Sequence, residues 1–298
     1  MTDPATLDRI RALPCFSGSV DIAPLSGGLS NENWLVTDAA GKHVVRLGRD
    51  FPFHHVDRAR EVMTARAAHA AGFGPCVEYS EPGIMVTAFL NAKTFGAADV
   101  RANAERIGRL LRDFHATMPH HVAGAGFMFW VFHVIRDYAR TLGSGGSRMA
   151  DRLPAWLELS ETLEAAQRPL PIVFGHNDLL PANFLDDGHK LWLIDFEYAG
   201  FSTAMFDIAG AASNAEMTAD EAALLLEAAL GSAPDPAMTR TFHAMQCASL
   251  LRETLWSLVS ELHLDAPGVD YQAYTAENLA RLDAALEHYH STYGKTSS

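Results

Sequence analysis

The hydrophobic repeat of this chain changes period once, and that change constrains the fold more than any other feature of the sequence. Before residue 90, apolar residues alternate in short runs divided by turn residues. Residues 22–25, 33–37, 43–47, 77–79 and 84–89 read as strands, with Ser26-Gly27-Gly28, residues 38–41 and Glu81-Pro82-Gly83 as turns. Two helices accompany them, at residues 6–13 and 56–71, the second starting near Asp57 and stopped by Gly72. Beyond Leu90 the spacing lengthens. Residues 99–117 place Ile107, Leu110, Leu111 and Phe114 at helical intervals, and most of the chain beyond 117 reads the same way. The exception is residues 172–194, where two apolar runs bracket a loop. The pattern predicts an α+β chain of two packed parts, residues 1–90 and 91–298, joined near 89–94. The 298 residues suffice for that, since single cores stop growing near ~250–300 residues.

Composition narrows the class. The formal charge of -13 argues against a nucleic-acid binder, which needs a basic face, and is compatible with a cationic ligand, although solubility alone also accounts for an acidic surface. Cys15, Cys76 and Cys247 lie far apart with no CxxC pair, so neither a disulfide framework nor a zinc knuckle is expected and a reducing compartment fits. The opening MTDPATLDRI lacks the basic and apolar regions of a secretory leader. The most apolar stretch, residues 126–135, is too short for a membrane span of ~20 residues and reads as the start of a buried helix. A cytoplasmic protein without membrane insertion is expected. Among the 14 histidines no HExxH spacing occurs, and all except His176 read as surface or loop residues.

The strongest chemical signal is GHNDLLPANFLDDGHKLWLIDFEYAG, which places His176, Asp178, Asn183 and Asp195 in order. Asp178 and Asn183 stand at an Asp-x-x-x-x-Asn spacing, and Asp195-Phe196-Glu197 follows an apolar strand at 191–194. Each residue alone is an ordinary turn residue at a strand end. The ordered set is what phosphoryl transfer needs: a carboxylate to orient and deprotonate the attacking hydroxyl, and hard oxygen ligands for magnesium. Asp178 reads as the base, with Asn183 and Asp195 as the metal ligands and His176 as a brace for the loop.

This segment resembles the catalytic block of the aminoglycoside phosphotransferase and choline kinase superfamily. Its Leu-Leu-Pro-Ala-Asn-Phe-Leu and Ile-Asp-Phe-Glu-Tyr-Ala-Gly wording is similar to that of bacterial choline/ethanolamine kinases. The resemblance implies a bilobal, protein-kinase-like fold that binds ATP and Mg2+ between a strand-rich N-lobe and a mainly helical C-lobe. It extends into the first part, where LSGGLSNENWLV resembles the nucleotide-covering loop and VVRL the phosphate-binding strand. On that basis Ser26, Gly27, Gly28, Asn31, Asn33 and Arg46 are expected to meet the nucleotide, and Glu61, fifteen positions after Arg46, to pair with that basic side chain. Read without the resemblance, Ser26-Gly27-Gly28 is also a plain hairpin turn, and Glu61 beside Arg60 also fits a solvated helix face.

Further on, Asp207 in Phe206-Asp207-Ile208-Ala209 is expected to bond the catalytic-loop backbone. Asn214 stands where eukaryotic choline kinases carry an acidic residue near the cation, with Glu216 two positions later, so the choline pocket does not transfer residue by residue. The resemblance implies a small cationic hydroxyl substrate, choline or ethanolamine, held by Glu197, Tyr198 and Trp256, because a quaternary ammonium is recognised by aromatic faces and diffuse negative charge. Trp256 also shares a helical face with Leu255, Leu258 and Val259, as a packing residue would. Two rivals stay open: a kinase of the same fold for thiamine, an aminoglycoside or a sugar, and a non-catalytic nucleotide-binding module.

Overall fold

The computed structural model describes residues 4–25, 32–264 and 268–294. Helix α1 (Pro4–Arg11) leads into a five-stranded antiparallel sheet of β1 (Asp21–Leu25), β2 (Glu32–Thr37), β3 (Lys42–Leu47), β4 (Val77–Glu81) and β5 (Ile84–Ala88), in the spatial order β1-β2-β3-β5-β4. Side chains alternate across a strand, so the sheet has two different faces. Trp34, Val36, Val45, Ile84 and Val86 turn one way and pack on Ile10 and Leu13. Asn33, Val44, Arg46, Met85 and Thr87 turn the other way and line a cleft. The alternation read from the sequence therefore does more than build strands: it hands Arg46 to the cleft.

Helix α2 (Arg58–Ala70) crosses between β3 and β4. Its first turn is capped by Asp57, which accepts from the Arg60 amide at 2.8 Å, and the chain leaves it through Gly72 at φ +83°. Ala65, Ala67 and Ala68 are small enough to seat this helix against the larger core of the second lobe rather than the sheet's own core.

The second lobe comprises β6 (Lys93–Thr94), α3 (Ala97–Ala102), α4 (Ala104–Thr117), α5 (Val131–Gly145), α6 (Leu153–Ala165), β7 (Ile172–Gly175), β8 (Phe184–Asp186), β9 (Leu191–Leu193), β10 (Gly200–Thr203), α7 (Ala204–Asn214), α8 (Ala219–Leu230), α9 (Pro236–His263) and α10 (Tyr271–Tyr293). The fold is the α+β, two-lobed arrangement expected. Helix α9, 28 residues or about 42 Å long, packs against α5, α6, α7 and α10 and is the axis of this lobe. Two small antiparallel units, β6-β8-β9 and β7-β10, carry the loop at 176–183 and the segment at 194–199. Among the described residues no helix is long and apolar enough to cross a membrane, and Cys15, Cys76 and Cys247 are unpaired.

Two expectations need correction, and one is met with a refinement. The single helix predicted over 99–117 is broken at Asn103, whose side-chain Nδ2 donates back to the Asp99 carbonyl at 2.9 Å while its backbone leaves helical geometry. The buried helix expected to start within 126–135 does so, at Val131. The residues before it run extended, with Met128 bridging Phe201 and the Phe129 amide bonded to the Phe201 carbonyl at 2.8 Å. Finally, three histidines assigned to the surface are buried. His43 lies between Asp38 and Glu78, His54 is bonded to Ser260 and Tyr138, and His115 is bonded to Asp207. For His54 and His115 the enclosing partner comes from a distant part of the chain.

Helices α4 and α8 are in close contact at Gly108. A Cβ there would lie 2.6 Å from the Leu225 carbonyl oxygen and 2.9 Å from the Ala229 amide nitrogen. In an exposed helix Gly→Ala gains about 1 kcal/mol. Here the clash is with backbone, and overpacking of ~1–3 kcal/mol reverses the sign. Gly108→Ala is therefore expected to lower the urea midpoint with an unchanged m-value. A variant as stable as the parent would show that α8 can move away from α4 at no cost.

Candidate active site

The loop at 176–183 is held from three directions. Asp207, only 2% exposed on α7, accepts at Oδ2 from the His176 amide at 2.8 Å and from Nε2 of His115 at 2.7 Å, and at Oδ1 from the Asn177 amide at 2.7 Å. Asn177 adopts φ +63°, a left-handed conformation that Asn tolerates. Its Nδ2 donates to the carbonyls of Tyr198 at 3.2 Å and Gly200 at 3.3 Å. His176 Nε2 donates to the Ile194 carbonyl at 2.9 Å. Gly175 is required here, since a Cβ would meet Asn177 Oδ1 at 2.7 Å and Asp207 Oδ2 at 3.2 Å. Burial disfavours charge on Asp207, but the hydrogen bond and charge of His115 outweigh it and hold the carboxyl below its ordinary range.

This scaffold sets Asp178 and Asn183. Asn183 donates from Nδ2 to the Asp178 carbonyl at 2.7 Å, which commits its amide nitrogen and leaves Oδ1 as the atom for a ligand. Asp195, at φ +68°, follows β9 on the same cleft wall. Its Oδ1 accepts from Arg46 Nη1 at 2.5 Å, and the same Nη1 donates to Glu61 Oε1 at 2.5 Å. Arg58 continues the chain of charges, bonded to Glu61 Oε2 at 2.6 Å and to Glu197 Oε2 at 2.9 Å. Burial pushes the Asp195 carboxyl up, but the adjacent Arg46 guanidinium dominates and holds it below the ordinary range.

The cleft on this face is about 350 Å³, with Val44, Met85 and Phe89 as apolar walls and Arg46, Asn183 and Asp195 as polar groups. A larger groove of about 650 Å³ lies on the far side of Arg46 and Glu61, between α2 and the β4–β5 turn. It is lined by neither Asn183 nor Asp195, so size does not decide the site and the donor set does.

A second, narrow opening of about 10 Å³ lies between Asp178 and α9, lined also by Asn214, Ser249, Arg252 and Glu253. Glu253 accepts from Arg252 Nη1 at 2.7 Å and from the Tyr274 hydroxyl at 2.8 Å. Burial pushes the Asp178 carboxyl well above the carboxylate range. Glu253, Asp195 and Glu197 push the same way, and Arg252 opposes them.

The other expected residues are divided between the cleft, the lobe interface and the core. Asn33 reaches Arg46 Nε at 3.4 Å. Glu197 is turned toward Arg58 in the interlobe network. Trp256 donates from Nε1 to the Tyr198 hydroxyl at 2.8 Å and stacks on His54 at 5.2 Å, so it is only 6% exposed. Asn214 braces the loop by donating to the Leu179 carbonyl at 3.2 Å, while Glu216 is exposed. Ser26, Gly27, Gly28 and Asn31 lie outside the described residues. The sequence reading assigned no role to Arg58, His115, Asn177, Arg252, Glu253 or Tyr274. The one available signal was the charged pair Arg252-Glu253 inside the otherwise apolar LLRETLWSLV.

The chain belongs to the phosphotransferase enzyme family, whose model matches residues 21–242, from β1 into α9. It is similar to a probable ethanolamine kinase of Arabidopsis thaliana, 31% identical over 208 residues, which are 62% of this chain and 53% of that protein. Against a choline/ethanolamine kinase family structure from Mesorhizobium loti it gives a TM-score of 0.75 at 27% identity, covering 95% of this chain and 94% of that one. Choline kinase LicA from Streptococcus pneumoniae shares the fold, with a TM-score of 0.74 at 18% identity over 96% of this chain and 98% of that one, and LicA has also been solved in complex with AMP.

Asp207→Ala would leave two buried amides and His115 without their acceptor. The expected cost is ~3–5 kcal/mol, as for a buried pair broken from one side. Because the folded carboxyl is held low, its contribution is complete above the ordinary value near ~3.9 and fades as pH falls through the lowered one. Urea titrations of parent and variant across acid pH should therefore converge, and a gap independent of pH would assign the loss to packing.

Proposed function

We propose that this phosphotransferase moves the γ-phosphoryl group of ATP, with Mg2+, to the hydroxyl of a small amino-alcohol of the choline or ethanolamine type. The observation that carries the reading is that Asn183 and Asp195 line the cleft under the sheet, while Asn183 is bonded to the carbonyl of Asp178, which lines the opening against α9. The kinases named among its relatives support the acceptor class, and the AMP complex of LicA supports a nucleotide in the cleft.

Asn183 Oδ1 and the Asp195 carboxylate are hard oxygen donors of the kind magnesium selects, and no thiolate or imidazole is among the described residues that line the cleft with them. When bound, the ion would neutralise charge on the transferring phosphates. Arg46 extends from β3 into the cleft as a phosphate contact, pre-set by Glu61. Asp178 orients the hydroxyl and takes its proton. In this reading the strand-rich lobe ends at residue 90, and Phe89 and Leu90 join the lobes at the cleft wall.

Asp178→Asn should keep ATP binding and lose turnover by about 10²–10⁴-fold, the range for a lost general base; near-parental kcat on the best acceptor would remove Asp178 from that role. Asp195→Ala should weaken nucleotide binding in magnesium far more than in its absence, as read by calorimetry. Because the Asp178 carboxyl is raised and must be ionised to act, kcat/KM should rise with pH along an acid limb lying above the ordinary carboxylate range. A limb at or below that range, or none, would point to another base.

A further inference from the structure

We propose that the acceptor is an amino-alcohol that also carries a carboxylate, a hydroxy amino acid, and that Arg252 recognises that carboxylate. This rests on the amino-alcohol reading above and narrows it.

Arg252 is 3% exposed on α9 and lines the opening beside Asp178 together with Glu253, Asn214 and Ser249. Its Nη1 is committed to Glu253. Its Nε and Nη2 are fully enclosed and have no hydrogen-bond partner among the described residues. These two atoms are not an arbitrary pair. In a planar guanidinium, Nε–H and one Nη2–H point in parallel along one edge, at the spacing of two carboxylate oxygens. Glu253 occupies a different part of the group. The rings of Tyr198 and Phe129 lie near it, at 4.6 and 5.8 Å from the guanidinium carbon, and a ring contact does not satisfy the in-plane donors. A charged two-donor edge enclosed without an acceptor is costly to maintain, and a carboxylate is the ligand that completes it.

The neighbouring groups favour the same occupant. A bare ammonium or trimethylammonium beside Asp178 would meet the repulsion of Arg252, whereas a zwitterion sets its carboxylate on Arg252 and its ammonium toward Glu253. The aromatic faces that a trimethylammonium would use are taken: Tyr198 faces Arg252, and Trp256 stacks on His54. An opening of about 10 Å³ holds roughly one water, so side chains must part to admit any acceptor, and a compact one demands least. In the transfer, the acceptor oxygen bonds the γ-phosphorus as the bond to the β–γ bridging oxygen breaks. ADP leaves with that electron pair, the hydroxyl proton passes to Asp178, and the carboxylate and ammonium are unchanged.

The test is ADP release from the full chain with ATP and Mg2+, using acceptors that differ only by a carboxylate: L-serine against ethanolamine, and L-homoserine against 3-aminopropan-1-ol, with choline alongside. The carboxylated member of at least one pair should lead in kcat/KM by roughly 10²-fold or more, as for a site built to bond a group its analogue lacks. Arg252→Lys, which keeps the charge without the two-donor edge, should shrink that ratio at least about tenfold through KM, with a thermal melt confirming the fold. Ethanolamine, 3-aminopropan-1-ol or choline outrunning the carboxylated acceptors would overturn the proposal and leave the amino-alcohol reading standing. Release with none of the five would overturn both. A preference for the carboxylated member that survives Arg252→Lys undiminished would take recognition away from Arg252.

Discussion

Five alternating charges, Asp195, Arg46, Glu61, Arg58 and Glu197, run from the second lobe through the sheet and α2 and back again. All five side chains are largely withdrawn from water, and each cation stands between two anions. Isolated charges in such a place would be prohibitive, while an alternating row satisfies each by its neighbours. The sheet lobe has only a small core of its own, so its placement against the helical lobe depends on this row and on the alanine face of α2. Removing one member strands those beside it, which ties the shape of the cleft to the groups that would meet phosphate and metal.

The loop at 176–183 has a separate foundation. Asp207 binds two successive loop amides and His115, Asn177 reaches the carbonyls of 198 and 200, and His176 reaches that of 194. The 176–183 loop and the 194–200 segment are thus one hydrogen-bonded unit, although 18 residues separate His176 from Ile194. Left-handed backbone at both Asn177 and Asp195 is tolerated because these bonds over-determine it.

The features legible in the sequence are the short-range ones. The Asp178–Asn183 spacing and Asp195 after its strand are local patterns, and the sheet comes from a period of two that short-range sterics enforce. The reach from Arg46 to Glu61 was expected only through the family resemblance, since the residues around Glu61 fit a solvated helix face equally well. Arg58 to Glu197 spans 139 residues and His115 to Asp207 spans 92, and no local pattern marks either end. Trp256 shows the same limit from the other side. Its place in an apolar helical face was readable, but its partners His54 and Tyr198 were not, and they decide how little of its ring is open. The break at Asn103 escaped because the apolar spacing continues across it, while the competing side-chain bond leaves no periodic trace.

Helix α9 carries Arg252, Glu253 and Trp256 within five residues and supplies none of Asp178, Asn183, Asp195 or the charge row, although Arg252 and Glu253 act on the charge of Asp178. In the proposed reading, the groups that transfer the phosphoryl and those that select its recipient therefore lie on different stretches of chain. On that reading, a lineage can revise the second by substitutions on one turn of one helix without replacing any residue of the first. Scaffolds divided in this way diversify readily, because a change of taste does not have to pass through a loss of trade.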